Sequence, residues 1–422
     1  MDVRRKHNSV TFVFVLVALV FMYGRPYEIL PALEKIQITK VALFSALIFS
    51  LLEGNKGSIL KEKGFRLFAL LELLTAALIP FSIWPANSMD FWLNSYLKVF
   101  AVFYLILLVA ADYRKFNITV IVILICSSIM AARTVAAFYD GQIIFDHDGT
   151  RRVTGISMLS SNNPNDIAVA FAMAVPLALY FYNVSKGVIS KSFYAGVAAV
   201  NLLAILFTGS RGGYLGVLFG LFIFFILKYK KRKMKFAIIS VLVMAIVLPL
   251  LPSDYKARFM SSFDTNDYSY SDEKMGRIAI WKRGLASIAK EPLGSGIKNY
   301  TITEGERKRE QGFTGKWLVA HNSYLQIAVE LGVLGLVLYM MFLWEGFRSL
   351  KKIIVLSELP PGNNRTRLCA YAFAGSMAAF VVSSLFLSQA YYWNQYIYIA
   401  LIISLKNIMT GAAGPAPTLK MK

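Results

Sequence analysis

Long apolar runs dominate the sequence and restrict the fold it can adopt. Hydrophobic residues make up 57% of the 422 residues and charged residues only 16%, well below the roughly 25% of a soluble domain. A helix that crosses a bilayer needs about 20 mostly apolar residues and satisfies its own backbone hydrogen bonds. The sequence therefore predicts an all-α polytopic membrane protein, which excludes a cytosolic enzyme, a secreted module and a fibrous chain. The twelve predicted spans lie approximately at 8–24, 36–52, 65–84, 96–111, 116–139, 167–182, 193–207, 213–228, 234–251, 324–344, 368–387 and 391–406.

The distribution of Lys and Arg predicts how these spans are oriented. With a cytoplasmic N-terminus, alternation of the spans gives 25 basic residues to the cytoplasmic segments and 5 to the short outer loops. Cytoplasmic loops of membrane proteins carry such an excess. Topology thus accounts for most of the formal net charge of +21, and no nucleic-acid partner is predicted. Both termini are expected in the cytoplasm.

The spans also predict the domain organisation. An N-terminal transmembrane bundle of about nine helices (1–251) precedes a large outer loop (252–323), about three C-terminal transmembrane helices (324–406) and a disordered cytoplasmic tail (407–422). A polar outer segment this long is rarely a simple connection, so we expect function there. Apolar residues at 278, 281, 285 and 288 recur at helical spacing. They predict an amphipathic helix at the membrane surface, from Arg277 to Ala289.

An arginine between two spans is a candidate anion ligand. Arg211 lies in TGSRGGYLG, where the glycines permit a tight turn and a close approach of the backbone. Its planar guanidinium group suits phosphate. The structural alternative is an interfacial arginine that caps a helix pair and extends to the lipid headgroups.

Two further positions carry arginine near the outer ends of spans. Arg133 lies inside the fifth predicted span, and an intramembrane arginine is a functional candidate by default. A structural ion pair is the alternative for Arg133. Arg152 precedes a stretch rich in turn formers, after which Asn165 or Asp166 is expected to N-cap the sixth span.

The large outer loop and its end contribute two more candidates. Arg277 opens the predicted amphipathic helix, where a positive side chain opposes the helix dipole. An anion shared with the N-terminal N–H groups would offset that cost. His321 stands just before the tenth span, with Asn322 or Ser323 as its predicted N-cap. Histidine can accept a proton near neutral pH, and a structural role is the alternative.

Metal and aromatic motifs give weaker signals. The chain has two cysteines and three histidines, so no metal or other cofactor is predicted, and His147 in FDHDG is only a weak metal candidate. The motif SQAYYWNQ contains Tyr391, Tyr392 and Trp393. These residues fit an aromatic belt at the membrane interface, with stacking on a sugar as the alternative.

In order, these motifs resemble the O-antigen ligase and polymerase superfamily of bacterial envelope glycosyltransferases. The resemblance covers about 150 to 345 and depends on TGSRGG after the seventh span, GRIAIW…PLGSGIKNY in the large loop and HNSYLQIAVELGVLGLVLY at the tenth span. It implies a GT-C-like, inverting, metal-independent glycosyltransferase of the bacterial inner membrane. Such an enzyme moves a glycan from undecaprenyl diphosphate on the periplasmic face.

The resemblance also implies roles for individual residues. Arg211 and Arg277 would hold the diphosphate, and His321 would activate the acceptor hydroxyl. Four further residues are candidates for substrate contacts: Arg133, Arg152, Asn322 and Tyr324. Besides membrane lipids, the expected partners are the undecaprenyl-diphosphate-linked glycan and its acceptor.

The acceptor is left open by the motifs. A ligase would use a lipid A core sugar, a polymerase another lipid-linked repeat, and an oligosaccharyltransferase a protein Ser or Thr hydroxyl. A transporter of lipid-linked glycans is the alternative from another class, in which Arg133 and Arg211 would bind an anionic lipid in transit. Transport predicts broken helices and paired repeats, and we find neither clearly in the sequence.

Overall fold

The fold was analysed in a computed structural model that describes residues 2–30, 32–52, 56–145, 151–153, 164–229, 276–315 and 317–411. Its described part is built from helices and one short antiparallel hairpin. The prediction of an all-α polytopic membrane protein is confirmed. The ninth predicted span, 234–251, lies outside the described residues, as do 252–275 of the large loop and His147.

The first half of the chain supplies eleven helices and the hairpin. Short 3-10 turns follow the first and fifth helices, and a π-helical turn joins the sixth to the seventh. In chain order, the elements are α1 Asp2–Tyr23, α2 Ala32–Ile36, α3 Ile38–Ser50, α4 Lys56–Lys61, α5 Lys63–Leu78, α6 Pro85–Phe91, α7 Leu97–Val109, α8 Tyr113–Tyr139, β1 Ile143–Phe145, β2 Arg151–Val153, α9 Pro164–Val184, α10 Val188–Thr208 and α11 Arg211–Lys228.

The second half supplies six more described helices. They are α12 Arg277–Lys290, α13 Tyr300–Glu310, α14 Ser323–Glu330, α15 Gly332–Glu358, α16 Asn364–Ser383 and α17 Trp393–Thr410. Because α17 extends to Thr410, the first residues of the predicted disordered tail are helical. Residues 412–422 lie outside the described part.

Within the described ranges, eight helical segments are long and apolar enough to cross a membrane, judged by length and composition. They are Lys63–Phe81, Pro85–Val109, Tyr113–Tyr139, Pro164–Val184, Val188–Thr208, Arg211–Lys228, Gly332–Glu358 and Asn364–Ser383. Three other predicted spans coincide with helices outside this set, namely α1, α3 and α17. Nearly every residue of α17 from Trp393 to Leu405 is buried by protein, so this helix is a central element of the bundle.

The tenth predicted span is two helices and not one. Helix α14 ends at Glu330, and α15 begins at Gly332, whose φ of 68° is in the left-handed region that favours glycine. Backbone from the large loop packs on this break. Ser295 N–H donates to Val329 O at 2.9 Å, and Gly296 N–H donates to Glu330 O at 2.8 Å. The PLGSG and ELGVLG motifs are therefore partners in space.

Small residues let two long helices pack closely in the bundle. A Cβ atom added to Gly216 of α11 would lie 2.0 Å from Ser383 Oγ of α16. One added to Gly220 would lie 2.7 Å from the Gly375 carbonyl oxygen. Close approach of helix backbones at small residues is a common way to associate helices in membranes. It positions the N-terminus of α11 next to the segment that follows α16.

Candidate functional site

A cavity of about 1030 Å³ lies among the helices. Its wall combines residues distant in sequence, from the end of α1 and the turn after it, α7, α8, the large loop, α14 and the segment before α17. Of the seven catalytic or substrate-binding residues predicted from the sequence, His321 and Arg133 line this cavity. The other five predicted residues, Arg152, Arg211, Arg277, Asn322 and Tyr324, are all described and are not part of its wall.

His321 is held in an unusual backbone conformation at the start of α14. Its φ is 46°, in the left-handed region that non-glycine residues rarely adopt. Its backbone N–H donates to Ser388 Oγ at 3.0 Å. Asn322 is the N-cap, as predicted, and its side chain accepts from the N–H groups of Tyr324 and Leu325 at 2.9 Å each. Such strain persists only where surrounding structure enforces it, and it is common at functional sites.

Burial and two arginines keep the His321 imidazole neutral. Desolvation is the main cause that lowers its pKa, and the positive charges of Arg277 and Arg152 lower it further, to about 3. The two arginines are therefore close enough to act on the imidazole electrostatically. A neutral imidazole at pH 7 has a lone pair that can accept a proton.

Arg152 is the middle residue of β2 in the hairpin, and its side chain extends to the turn before α11. It is 7% exposed, and its Nε donates to Thr208 O at 2.8 Å while its Nη2 donates to Asn165 Oδ1 at 2.8 Å. Its side chain also packs on Gly209, which has a left-handed φ of 59°. The tight turn predicted from the glycines of TGSRGG is thus confirmed, with Arg152 packed against it.

Arg211 is the first residue of α11 and is also buried, at 7% exposure. The preceding Ser210 caps this helix through a 3.2 Å hydrogen bond that its Oγ accepts from Gly213 N–H. The next residue, Gly212, accepts a hydrogen bond from Ser383 Oγ at 2.9 Å. Arg211 therefore lies beside the segment that follows α16, the same segment that binds the backbone of His321.

Arg277 opens α12, as the periodicity predicted, and the helix runs to Lys290. Its buried face consists of Ile280, Arg283, Gly284 and Ser287. On the opposite face, Ile278 is 42% and Leu285 is 61% exposed. The amphipathic pattern is confirmed, with part of its apolar face unburied by the described protein.

The segment between α16 and α17 joins the parts of the site. Ser323 donates its N–H to Ser384 O at 2.8 Å and its Oγ to Leu387 O at 2.6 Å. Gln389 N–H returns a hydrogen bond to Ser323 Oγ at 2.8 Å. These bonds fix the start of α14, and with it His321, to the segment that also contacts the start of α11.

Asp166 has a role that differs from the predicted helix cap. Helix α9 begins at Pro164, so Asn165 and Asp166 lie within its first turn. Asp166 accepts hydrogen bonds from Gln389 Nε2 at 2.6 Å and Tyr392 Oη at 2.7 Å, and Asn165 accepts from Arg152. The N-cap prediction for these two residues was wrong, because their side chains bind distant partners that the local pattern does not indicate.

The aromatic residues before α17 are not a membrane belt. Tyr391 is 6% and Trp393 is 9% exposed, and both line the cavity together with Tyr392. The Tyr391 ring packs at 5.1 Å, edge to face, on Tyr96. The belt prediction was wrong because protein, not lipid, surrounds these rings. Their place in the cavity wall is compatible with the alternative of stacking on a sugar.

Sequence reasoning missed several residues of the cavity wall. Arg133 pairs with Glu28 at 2.9 Å, and Glu28 also pairs with Arg25 at 2.7 Å. Helix α14 contributes Gln326 and Glu330, one turn apart. Gln326 and Glu330 stand in the HNSYLQIAVELG motif at i, i+4 spacing, so a helical reading of that motif could have found them. For Arg25 and Glu28 the sequence holds no comparable signal.

Among the described residues, no group of three or more His, Cys, Asp or Glu side chains could hold a metal ion. His147, the weak metal candidate, lies outside those residues.

Together the fold and the cavity define a class: a polytopic helical membrane protein with a half-buried histidine and two arginines in the wall of one cavity. Comparison with known families then specifies that class. Residues 196–340 match the family described as O-antigen ligase, which confirms the resemblance to the O-antigen ligase and polymerase superfamily over about a third of the chain. The matched segment contains Arg211, Arg277 and His321, whereas Arg133 and Arg152 precede it. No curated protein matches the chain.

Proposed function

We propose that the chain is an inverting, metal-independent glycosyltransferase that moves a glycan from undecaprenyl diphosphate to a sugar hydroxyl on the periplasmic face. The acceptor in this proposal is a lipid A core sugar, as in an O-antigen ligase. The match to the O-antigen ligase family supports a membrane glycosyltransferase of the ligase and polymerase type. The donor, the acceptor and the residue roles are the proposal.

One observation supports the proposal most directly: His321 lines the cavity, where burial and, after it, the positive charges of Arg277 and Arg152 lower the pKa of its imidazole. Arg277, which acts on the imidazole, is also one of the two arginines proposed to hold the diphosphate, and Arg152 adds a second positive charge close to the imidazole. The negative charges of a bound diphosphate would offset the part of the His321 pKa depression that the two arginines cause, whereas the larger part, which burial causes, would remain. Donor binding would thereby make the histidine a stronger base at the moment when a base is required.

The reaction follows from these charges. The acceptor oxygen forms a bond to the anomeric carbon from the face opposite the diphosphate, and His321 takes the hydroxyl proton. The bond from the anomeric carbon to the phosphate oxygen breaks, and undecaprenyl diphosphate leaves with the electron pair. Arg211 and Arg277 stabilise the charge that develops on the leaving phosphate.

The test is transfer by purified protein from an undecaprenyl-diphosphate-linked glycan. Each acceptor class is supplied separately: lipid A core, a second lipid-linked repeat, and a Ser- or Thr-containing protein. A single product on lipid A core supports the ligase, and a ladder of products supports a polymerase. Movement of intact donor across a vesicle membrane, without cleavage at the anomeric carbon, would establish the transporter instead.

Variants assign the roles of the residues. His321→Ala should lower turnover by about 10²- to 10⁴-fold with little change in donor binding. Arg211→Ala and Arg277→Ala should abolish transfer, and Arg211→Lys should restore little because lysine lacks the planar fork. Lys282→Ala, an exposed position on the same helix as Arg277, is the matched control. Transfer should persist in EDTA, and activity that requires added Mg²⁺ would overturn the metal-independent mechanism.

A further inference from the structure

We propose that Arg25, Glu28 and Arg133 form a second anion subsite of the cavity, which takes a phosphate or carboxylate group carried by a glycan. The three residues line the cavity wall together with His321. Below they are called the arginine–glutamate cluster. The link to a glycan rests on the proposed function, whereas the anion binding itself does not.

The cluster has more positive than negative charge. Glu28 Oε1 lies 2.7 Å from Arg25 Nη1, and Glu28 Oε2 lies 2.9 Å from Arg133 Nη1. Both carboxylate oxygens are thus engaged, and one carboxylate serves two guanidinium groups. The three residues together therefore carry one net positive charge.

The apolar surroundings make a net positive charge unfavourable for the stability of the fold unless an anion compensates it. Arg25 is 2% exposed, and its buried Nε has no hydrogen-bond partner in the described protein. Its φ of 47° adds a left-handed backbone conformation. Arg133 lies in α8, a helix apolar enough to cross a membrane. Charges in such places cost several kcal/mol unless they are paired, and they mark binding sites or ion pathways.

Arg133 also retains donors suited to an oxyanion. The hydrogen bonds it makes within the described residues, to Glu28 and to the sulfur of Met130, both use Nη1. Its Nε and Nη2 form the other edge of the planar guanidinium. With the side chain 29% exposed, that edge can bind a carboxylate or a phosphate through two parallel hydrogen bonds.

The location suggests a role in selecting the glycan. The cluster precedes residues 196–340, which match the O-antigen ligase family and contain the residues proposed for transfer. It therefore belongs to a part of the chain outside that match while lining the same cavity. A subsite placed there would recognise an acidic or phosphorylated sugar and leave the reacting groups unchanged.

Binding of three small probes to purified full-length protein in detergent tests the subsite. Glucose 6-phosphate, glucuronate and glucose are titrated separately, and the fluorescence of tryptophan, including the cavity-lining Trp393, reports occupancy. Both anionic probes should bind at least tenfold more tightly than glucose. Preference for glucose 6-phosphate over glucuronate, or the reverse, identifies which oxyanion the subsite takes.

Two substitutions should change the affinity for the anionic probes in opposite directions. Arg133→Gln should weaken binding of the anionic probes at least tenfold, because it removes the fork. Glu28→Gln should strengthen it severalfold, because it removes the competing carboxylate. A purely structural cluster would instead weaken binding in both variants. Lys191→Gln, an exposed cation on α10, is the control for net charge.

A conservative substitution of Arg133 separates anion binding from the stability of the fold. Arg133→Lys keeps a cation beside Glu28 and removes only the fork, so its anion binding should fall while its melting temperature stays near that of the wild type. Equal affinities for glucose and both anions, or no binding of any probe, would overturn the subsite. None of these measurements needs glycosyl transfer, so failure of the transfer assay leaves them interpretable.

Discussion

The backbone N–H of His321 donates a 3.0 Å hydrogen bond to Ser388 Oγ, across 67 residues of sequence. This bond helps to hold His321 at a φ of 46°, in the left-handed region that residues other than glycine rarely adopt. The position of the imidazole in the cavity wall is therefore set by the segment after α16 as much as by α14 itself. Ser388 acts as a positioning residue in this arrangement.

The first prediction concerns that hydrogen bond. Ser388→Ala should lower turnover by about 2- to 10-fold, the effect of losing one hydrogen bond worth roughly 0.5–1.5 kcal/mol. The Michaelis constant for the donor should change less than turnover, because the hydroxyl that is removed accepts a hydrogen bond from the His321 backbone. Steady-state transfer kinetics measure both quantities, with Ser190→Ala at the far end of α10 as the control. An unchanged turnover would show that α14 alone positions His321.

The second prediction concerns acid stability. Burial lowers the pKa of His321 to about 3, with Arg277 and Arg152 contributing, whereas an unfolded histidine titrates near 6.5. Below pH 6.5 the unfolded state binds a proton that the folded state does not, so stability falls as the pH drops from 6.5 towards 3. Above pH 6.5 this contribution to stability is fully present.

Replacement of the imidazole isolates that contribution. Melting temperatures in detergent between pH 7 and pH 4 should fall more steeply for the wild type than for His321→Gln, which has no group to titrate. Arg277→Gln should give an intermediate slope, since removing a nearby positive charge raises the pKa of His321. If the melting temperature changed with pH equally in all three proteins, the imidazole would bind protons alike in the folded and unfolded states.

Local sequence patterns identified much of the architecture. Ten of the spans located by hydropathy coincide with single long helices, an eleventh corresponds to α14 and part of α15, and periodicity located α12 within one residue. The cap at Asn322 and the turn at Gly209 were also predictable, because caps and left-handed turns depend on neighbouring residues.

Contacts between distant residues were not predictable in this way. Arg133 and Glu28 are 105 residues apart, and Asp166 and Gln389 are 223 residues apart. No local pattern records such pairs. Hydropathy also cannot distinguish an aromatic ring that faces lipid from one that faces protein, and this is why Tyr391 and Trp393 were assigned to a belt.

The third prediction concerns the packing of α11 on α16. A methyl group at Gly216 would lie 2.0 Å from Ser383 Oγ and 2.8 Å from the Ala379 carbonyl oxygen. Because backbone cannot give way cheaply, Gly216→Ala should destabilise the protein by roughly 1–3 kcal/mol, in line with overpacking. It should also reduce transfer, since the start of α11 carries Arg211.

A matched glycine provides the control. Gly196 lies in α10 with nothing within 4 Å of an added Cβ. Gly196→Ala should leave stability unchanged or raise it, because alanine has the higher helix propensity. Melting temperatures in detergent compare the two variants. Equal effects at both positions would mean that helix propensity, and not the contact with α16, determines the result.

The last prediction concerns the buried ion pair of the large loop. Arg283 of α12 donates its Nε and Nη2 to Glu304 Oε1 of α13 at 2.9 and 2.6 Å, and both side chains are almost fully buried. Glu304 Oε2 accepts the N–H of Leu318 at 2.9 Å. The pair therefore links both loop helices to the extended segment that precedes His321.

Replacing Glu304 alone should lower the free energy of unfolding far more than replacing both Arg283 and Glu304. Glu304→Ala removes the carboxylate that accepts from Arg283 Nε, Arg283 Nη2 and the Leu318 N–H, so a loss of about 3–5 kcal/mol is expected. The double variant Arg283→Met with Glu304→Leu should recover most of that loss, since apolar side chains of similar volume can replace a buried pair. The exposed pair Lys290–Glu310, at 2.8 Å, connects the same two helices and is the control. Lys290→Ala removes this exposed pair and leaves Glu310 paired with Arg307, so it should cost little stability. A loss as large as that of Glu304→Ala would show that burial does not determine the strength of the link.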